Sequence, residues 1–162
     1  MANQATLVIV KPDAIKHGLT GAVLTRLDAL QLEIIGMKVV QVSRALAEEH
    51  YKHIRSKPFF EETVAHLQGK LHGVDAVLAF VYWGEDAVER VRQVMGATHP
   101  EKANPTSIRG AFGRMTSTGL MENVIHASSD RGEAAREIGL WFKPGELLRP
   151  LALPTQNAGV ER

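Results

Sequence analysis

The chain has 162 residues, no cysteine, and 19 Lys plus Arg against 18 Asp plus Glu, a formal net charge of +1. That length suits one domain burying roughly two-thirds of its unfolded surface, and the near-neutral balance signals neither a basic nucleic-acid tail nor an acidic solvating tract. The lack of cysteine removes disulfide and thiolate chemistry and fits a reducing compartment, no apolar run approaches ~18 residues, and no charged-then-apolar leader is present, so the expectation is a soluble cytoplasmic protein with no membrane partner.

Residues 6–10, Thr-Leu-Val-Ile-Val, form a β-branched run stopped by Lys11-Pro12-Asp13, which predicts a buried strand. An amphipathic helix follows, capped by Thr20, with Val23, Leu24, Leu27 and Leu30 on one face, ending near Leu32. Residues 34–42 are a second strand, interrupted at Gly36 by a bulge or close approach. Ser43 or Arg44 opens a short polar helix through Tyr51, and the turn Lys57-Pro58-Phe59-Phe60 leads into a helix over 61–67. Residues 74–83 are the most hydrophobic strand, and 86–95 a helix with Val88, Val91, Val94 and Met95 on one face. Residues 97–112 read as a long loop, 123–126 as a last short strand, and 133–142 as a helix capped by Asp130.

This order predicts a ferredoxin-like βαββαβ sandwich, an antiparallel four-stranded sheet with accessory helices, the helices covering one sheet face. One domain spans 1–149, and 150–162 read as a C-terminal tail, loose or packed on a neighbour.

No G-x-x-x-x-G-K-[ST] or G-x-G-x-x-G is present, which argues against P-loop and Rossmann chemistry. Of seven histidines, His50, His53 and His66 lie on polar helical stretches and His17, His72 and His99 in turns, all read as solvated imidazoles. His50 and His53 share a helix face, but two candidates without a third make a weak metal site. His126 differs: it ends a strand and precedes Ala127-Ser128-Ser129, small residues that leave room for a substrate. Lys11, Arg92 and Arg109 could converge on a phosphate if the first and last strands are neighbours.

At these residues the chain resembles the nucleoside diphosphate kinase family over about residues 5–148. Asn123-Val124-Ile125-His126-Ala127-Ser128 is similar to its signature N-x-x-H-[GA]-S. Lys11-Pro12-Asp13-Ala14, Tyr51 with Lys57-Pro58-Phe59-Phe60, Arg92 with Gly96-Ala97-Thr98, Ser107-Ile108-Arg109-Gly110 and Leu140-Trp141-Phe142 accompany it in order. The resemblance implies a kinase that passes the terminal phosphate of a nucleoside triphosphate, such as ATP, to a nucleoside diphosphate and so maintains triphosphate pools.

It further implies roles. His126 would be the nucleophile; Lys11, Arg92, Thr98 and Arg109 the phosphate ligands; Phe59 the base-stacking ring; Asn123 a sugar-hydroxyl contact. Tyr51 would stand at the histidine, and Glu137 with Ser128 behind it would hold the other imidazole nitrogen. Mg²⁺ would travel on the nucleotide's phosphates without protein metal ligands, and the assembly would be a homo-tetramer or homo-hexamer. Three positions depart from the family pattern: Ser129 stands where Asp is usual, Ile54 where His is common, and residues 113–122 form a longer segment.

Two other classes compete. An RNA-recognition module shares the βαββαβ order, and residues 109–113, Arg-Gly-Ala-Phe-Gly, faintly echo its strand signature, but Ala111 stands where an aromatic is required and the net charge gives no basic face, so no specific nucleic acid is expected. An inactive scaffold of the same family would have lost the nucleophile or its phosphate ligands, and none is lost.

Overall fold

The structure, a computed structural model, describes residues 2–152; of the expected tail, residues 153–162 lie outside the described residues. Strand β1 (Asn3–Val10) is its centre. Its run Leu7-Val8-Ile9-Val10 is apolar at every position and wholly buried, the pattern of a strand covered on both faces. It pairs antiparallel with β3 (Val77–Glu85) along its whole length and with β6 (Ile125–Ala127) at its end, and β2 (Glu33–Val40) joins the far side of β3. The resulting antiparallel sheet, ordered β2-β3-β1-β6, has the ferredoxin-like topology expected.

Helices α2 (Thr20–Asp28) and α5 (Ala87–Met95) cross one face, packing Val23, Leu27, Val91 and Met95 against Val8, Val10, Phe80 and Tyr82. The expectation that helices cover a single face is corrected by the accessory helices. From α3 (Arg44–His50), α4 (Phe60–Leu67) and α7 (Arg131–Trp141), the side chains of Leu46, Val64, Leu67, Ile138 and Trp141 bury Leu7, Ile9, Ala79 and Val81 on the opposite face.

Local chemistry sets the boundaries. Ser43 caps α3 by accepting from the Leu46 amide (3.1 Å), and Asp130 caps α7 by accepting from Glu133 (2.9 Å). Helix α2 instead starts after Leu19 without a side-chain cap, so Thr20 is its first residue; it stops at Asp28, well short of Leu32, before the chain turns through Gln31 at φ 52°. The pairing register of β2 slips between Ile34 and Gly36. A β-carbon at Gly36 would lie 2.7 Å from the Leu147 side chain, so the bulge is also a close approach.

Residues 97–112, expected as a loop, contain a 3₁₀ turn (Pro100–Lys102) and the helix α6 (Ile108–Phe112), capped by Ser107 Oγ accepting from Gly110 N at 3.1 Å. The strand-like echo at 109–113 is therefore mostly helix. Lys11-Pro12-Asp13 stops β1 but opens another short helix, α1 (Pro12–Lys16), with proline in its first turn. The longer segment 113–122 holds a small hairpin, β4 (Arg114–Met115) with β5 (Met121–Glu122). Among the described residues no helix is long and apolar enough to cross a membrane.

Candidate active site

Strand β6 positions His126. Its register partner is Ile9, so its side chain leaves the sheet on the accessory-helix face, under α3 and α7. There Nε2 meets Glu137 Oε1 at 3.0 Å, and Ser128 Oγ donates to Glu137 Oε2 at 2.6 Å. Ser128 in turn accepts from the Leu7 amide at 3.2 Å, tying the group to β1.

Glu137 is 2 % exposed because it borders the inward stripe of α7 beside Ile138 and Trp141. Burial alone would raise its carboxyl pKa; His126, His50 and the Ser128 hydroxyl outweigh burial and bring it down to about 2. With Glu137 ionised, His126 carries its proton on Nε2, and Nδ1 keeps the lone pair.

His126 lines a cavity of about 440 Å³. Lys11 enters from the end of β1, Arg92 from α5, Thr98 from the segment after it, and Arg109 from α6; Asn123 precedes β6, Tyr51 follows α3 and Phe59 precedes α4. Every site residue named from the sequence therefore lines this space, except Glu137 and Ser128, which stand behind His126.

The cationic end is tightly held. Lys11 Nζ donates to Asn123 Oδ1 at 2.7 Å, and Asn123 Nδ2 donates to the Thr98 carbonyl at 3.1 Å. Arg109, 7 % exposed, donates to the Ile125 carbonyl at 2.8 Å, while its Nε is buried with no partner among the described residues. Gly96 allows this arrangement: a β-carbon there would fall 2.2 Å from the Ser107 oxygen that caps α6. Burial and the neighbouring Arg109 lower the Lys11 pKa to about 8, against a raising effect of Asp13. Burial first, and then Arg92, lowers that of Arg109 to about 10 against Tyr51 and Asp13. Clustered cations that are short of water are poised to accept an anion. Burial also raises the Tyr51 phenol, which stays protonated as a donor.

The histidines correct the sequence reading most. His50, His66 and His72 are buried, not solvated. The ring of His50 lies edge to face with His126, centroids 4.5 Å apart, and Trp141 Nε1 donates to His50 Nδ1 at 3.1 Å. Burial above all holds the His50 pKa well below the ordinary imidazole value, with the neighbouring His126 ring and Arg136 adding to it against Glu137. Leu46, Ala47 and His50 sit at i, i+1 and i+4 on α3, a stripe that signals an inward-facing imidazole. Asp13 was also without a role in the sequence reading, yet it is fully buried and accepts from the Val124 amide.

One group of potential metal ligands comes together among the described residues: His50, His126 and Glu137, ligand atoms within 4.8 Å of one another. Both Glu137 oxygens are already engaged by His126 and Ser128, so the cluster is accounted for as the support of an imidazole.

An imidazole with one nitrogen braced by a carboxylate and the other free, in a cavity ringed by Lys and Arg, defines a protein built to handle phosphorylated compounds. Comparison with known proteins gives the particular family. The family model for nucleoside diphosphate kinase matches residues 4–147. A nucleoside diphosphate kinase of Desulfitobacterium hafniense is 42 % identical over 144 residues, 89 % of this chain and 91 % of that protein. Among solved structures, the Halobacterium salinarum nucleoside diphosphate kinase in complex with CDP aligns with a TM-score of 0.82 at 39 % identity, covering 91 % of this chain and 93 % of that one. The Borrelia burgdorferi enzyme, a transition-state mimic with bound vanadate and ADP, gives 0.81 at 35 % identity, with 91 % of each chain covered. The chain belongs to the nucleoside diphosphate kinase family, and it is an enzyme with that activity, transferring the terminal phosphate of a nucleoside triphosphate to a nucleoside diphosphate.

Proposed function

We propose that the transfer runs as two half-reactions through a phosphohistidine at His126. The observation that carries this reading is the brace behind the ring: Glu137 on Nε2 and Ser128 on Glu137 leave Nδ1 as the nitrogen able to attack.

A nucleoside triphosphate enters with its base on Phe59, its ribose beside Asn123, and its phosphates among Lys11, Arg92, Thr98 and Arg109. Nδ1 forms a bond to the γ-phosphorus as the bond to the bridging oxygen breaks, and the diphosphate leaves. The imidazole turns cationic in this step, and the Glu137 carboxylate stabilises it. A second diphosphate then takes the phosphoryl group by the reverse path. Because such transition states are loose, positioning and charge neutralisation supply most of the rate, which is the work of Lys11 and the two arginines. Tyr51 lies edge to face with the His126 ring, centroids 6.4 Å apart, and its phenol, kept protonated by burial, is available as a donor.

The charged side chains lining the cavity include three cations and the carboxylate Glu62, with no carboxylate cage. That donor set suits a Mg²⁺ ion held by the nucleotide's own phosphates, where it offsets their charge. We assign residues 1–149 to one kinase domain and 150–162 to a tail, a division supported by the family match over 4–147. Self-association, as a homo-tetramer or homo-hexamer, is supported by β2, an edge strand exposing Met37 (65 %) and Val39 (69 %). A cytoplasmic setting is supported by the cysteine-free composition and by nucleotide substrates.

Incubation with γ-labelled ATP tests the mechanism. Acid-labile, base-stable label at His126, discharged by any added nucleoside diphosphate, is expected. Label located elsewhere, or turnover without a labelled intermediate, contradicts it.

A further inference from the structure

Two residues ahead of His126 the backbone passes through a conformation that β-branched residues rarely adopt. Val124 has φ 61°, and the Ile125 amide donates to the Asn123 carbonyl at 2.7 Å, closing a three-residue turn around it. A turn of this kind with positive central φ is strained, and persists only where its surroundings over-determine it.

Here three constraints act together. The Val124 carbonyl accepts from the Lys11 amide at 2.9 Å. Its amide donates to Asp13 Oδ2 at 2.8 Å. Its side chain is packed in the core, 1 % exposed, so the turn cannot swing towards solvent. Asp13 is itself fully buried, and its second oxygen accepts from His66 Nε2 at 2.9 Å. Burial opposes ionisation of this carboxyl, but His66, Lys11 and the Val124 amide outweigh it and lower its pKa to about 2, so both oxygens act as acceptors at neutral pH.

We infer that Asp13 is a positioning residue for phosphoryl transfer: its carboxylate pins the Val124 turn and so fixes the relative directions in which Asn123 and His126 face the cavity. The inference rests on the reading of His126 as the nucleophile. Asn123 lies immediately before the turn and His126 two residues beyond its centre, so rotation of the Val124 peptide would move one against the other. Phe59 and Arg92 are carried by other elements and would keep their places, whereas Arg109, which donates to the Ile125 carbonyl, is tied to the turn itself. Misplacement of the reacting nitrogen by about 1 Å costs on the order of 10²-fold in rate, whereas the base platform and the Arg92 contact stay where they are. The expected signature is therefore a slower chemical step at nearly unchanged nucleotide affinity.

The test compares Asp13→Ala with Asp13→Asn in the full chain, reading the rate of His126 phosphorylation by rapid mixing, ADP affinity, and hydrogen exchange at the Val124 amide. In Asp13→Ala the phosphorylation rate should fall ~30-fold or more with ADP affinity within about threefold, and the Val124 amide should exchange faster while amides of β1 and β3 keep their protection. Asp13→Asn keeps an acceptor for that amide and should restore the rate to within about threefold of the unsubstituted enzyme. An unchanged rate in Asp13→Ala overturns the inference, as does an equal loss of protection across β1 and β3, which marks a general stability role. If Asp13→Ala does not fold, Asp13→Asn decides alone: a slow Val124 amide with a rate within threefold supports the inference, and a tenfold or larger loss overturns it. Absence of label at His126 in the unsubstituted enzyme would instead refute the nucleophile assignment, so the two failures are distinguishable.

Discussion

At one end of the cavity Lys11, Asn123 and Arg109, with Glu137 behind His126, each hold a named hydrogen-bond partner, and all are nearly buried. At the other end Phe59 is 51 % exposed, and Leu120 and Met121 of the hairpin segment supply apolar surface with no side-chain hydrogen bond. On the proposed mechanism, the difference follows from what each end must do. Charge that develops during transfer is stabilised by groups fixed in advance, whereas a ring face offers every nucleobase the same apolar platform and reads no hydrogen-bonding edge. Fixed geometry belongs to the reaction and tolerance to the substrate.

Substitutions can break that contrast. The largest effect is expected from His126→Ala, which should remove both the label and turnover, a fall of at least ~10⁴-fold in kcat; label retained on this variant would disprove the mechanism. Lys11→Ala should cost ~10²-fold in kcat/KM. Because the Lys11 ammonium has its pKa lowered to about 8, its charge is present below that pH, and kcat/KM of the unsubstituted enzyme should decline as pH rises through 8. A flat profile there would mean that the Lys11 charge is not required in the free enzyme.

Glu137→Gln should slow His126 phosphorylation by ~10-fold or more with nucleotide binding nearly intact, read by rapid mixing. The same substitution has a stability consequence of defined sign. The folded pKa of about 2 lies below the ordinary 4.5, so the carboxylate stabilises the fold above pH 4.5 and that contribution is lost as pH falls from 4.5 through 2. Denaturation midpoints of the two proteins should differ at pH 7 and converge across that window; parallel curves would remove Glu137 from the buried network.

The smallest effect belongs to the open end. Phe59→Ala should raise KM by ~10-fold for purine and pyrimidine diphosphates alike, and the unsubstituted enzyme should accept both within one or two orders of magnitude in kcat/KM. Strict preference for one base would sharpen the contrast in the other direction, making the hairpin at 113–122 an edge reader.

Much of this was legible before any coordinates. The strand at 6–10, the caps at Ser43 and Asp130 and the bulge at Gly36 follow from local chemistry, and local chemistry is written residue by residue. The single-face expectation fails because β1 and β3 are apolar on both sides, and an unbroken apolar run needs cover on its second face as well. The reading of His50, His66 and His72 as solvated failed for a related reason: a polar side chain's burial depends on partners distant in the chain. Trp141 is 91 residues from His50, His66 meets Asp13 across 53, and Glu122 meets His72 across 50. Asp13 carries no local signal of a role because the backbone amide that it accepts from is 111 residues away. Helix α6 was hidden by the prolines and glycines around it, although Ser107 carries the side-chain cap that starts it.

The central place of β1 bears on how the molecule comes together in time. Strand β1 hydrogen-bonds to residues 78–85 on one side and 125–127 on the other, so its second pairing waits until residues 125–127 have been made. Contacts of such long sequence separation make closure entropically costly and folding slow for the size of the domain. Lys11 is made early and Glu137 late, so a chain halted before residue 125 can pair β1 and β2 with β3 but has neither the last sheet strand nor the histidine proposed as nucleophile. The site therefore matures together with the final strand pairing, and no shorter folding intermediate carries a working version of it.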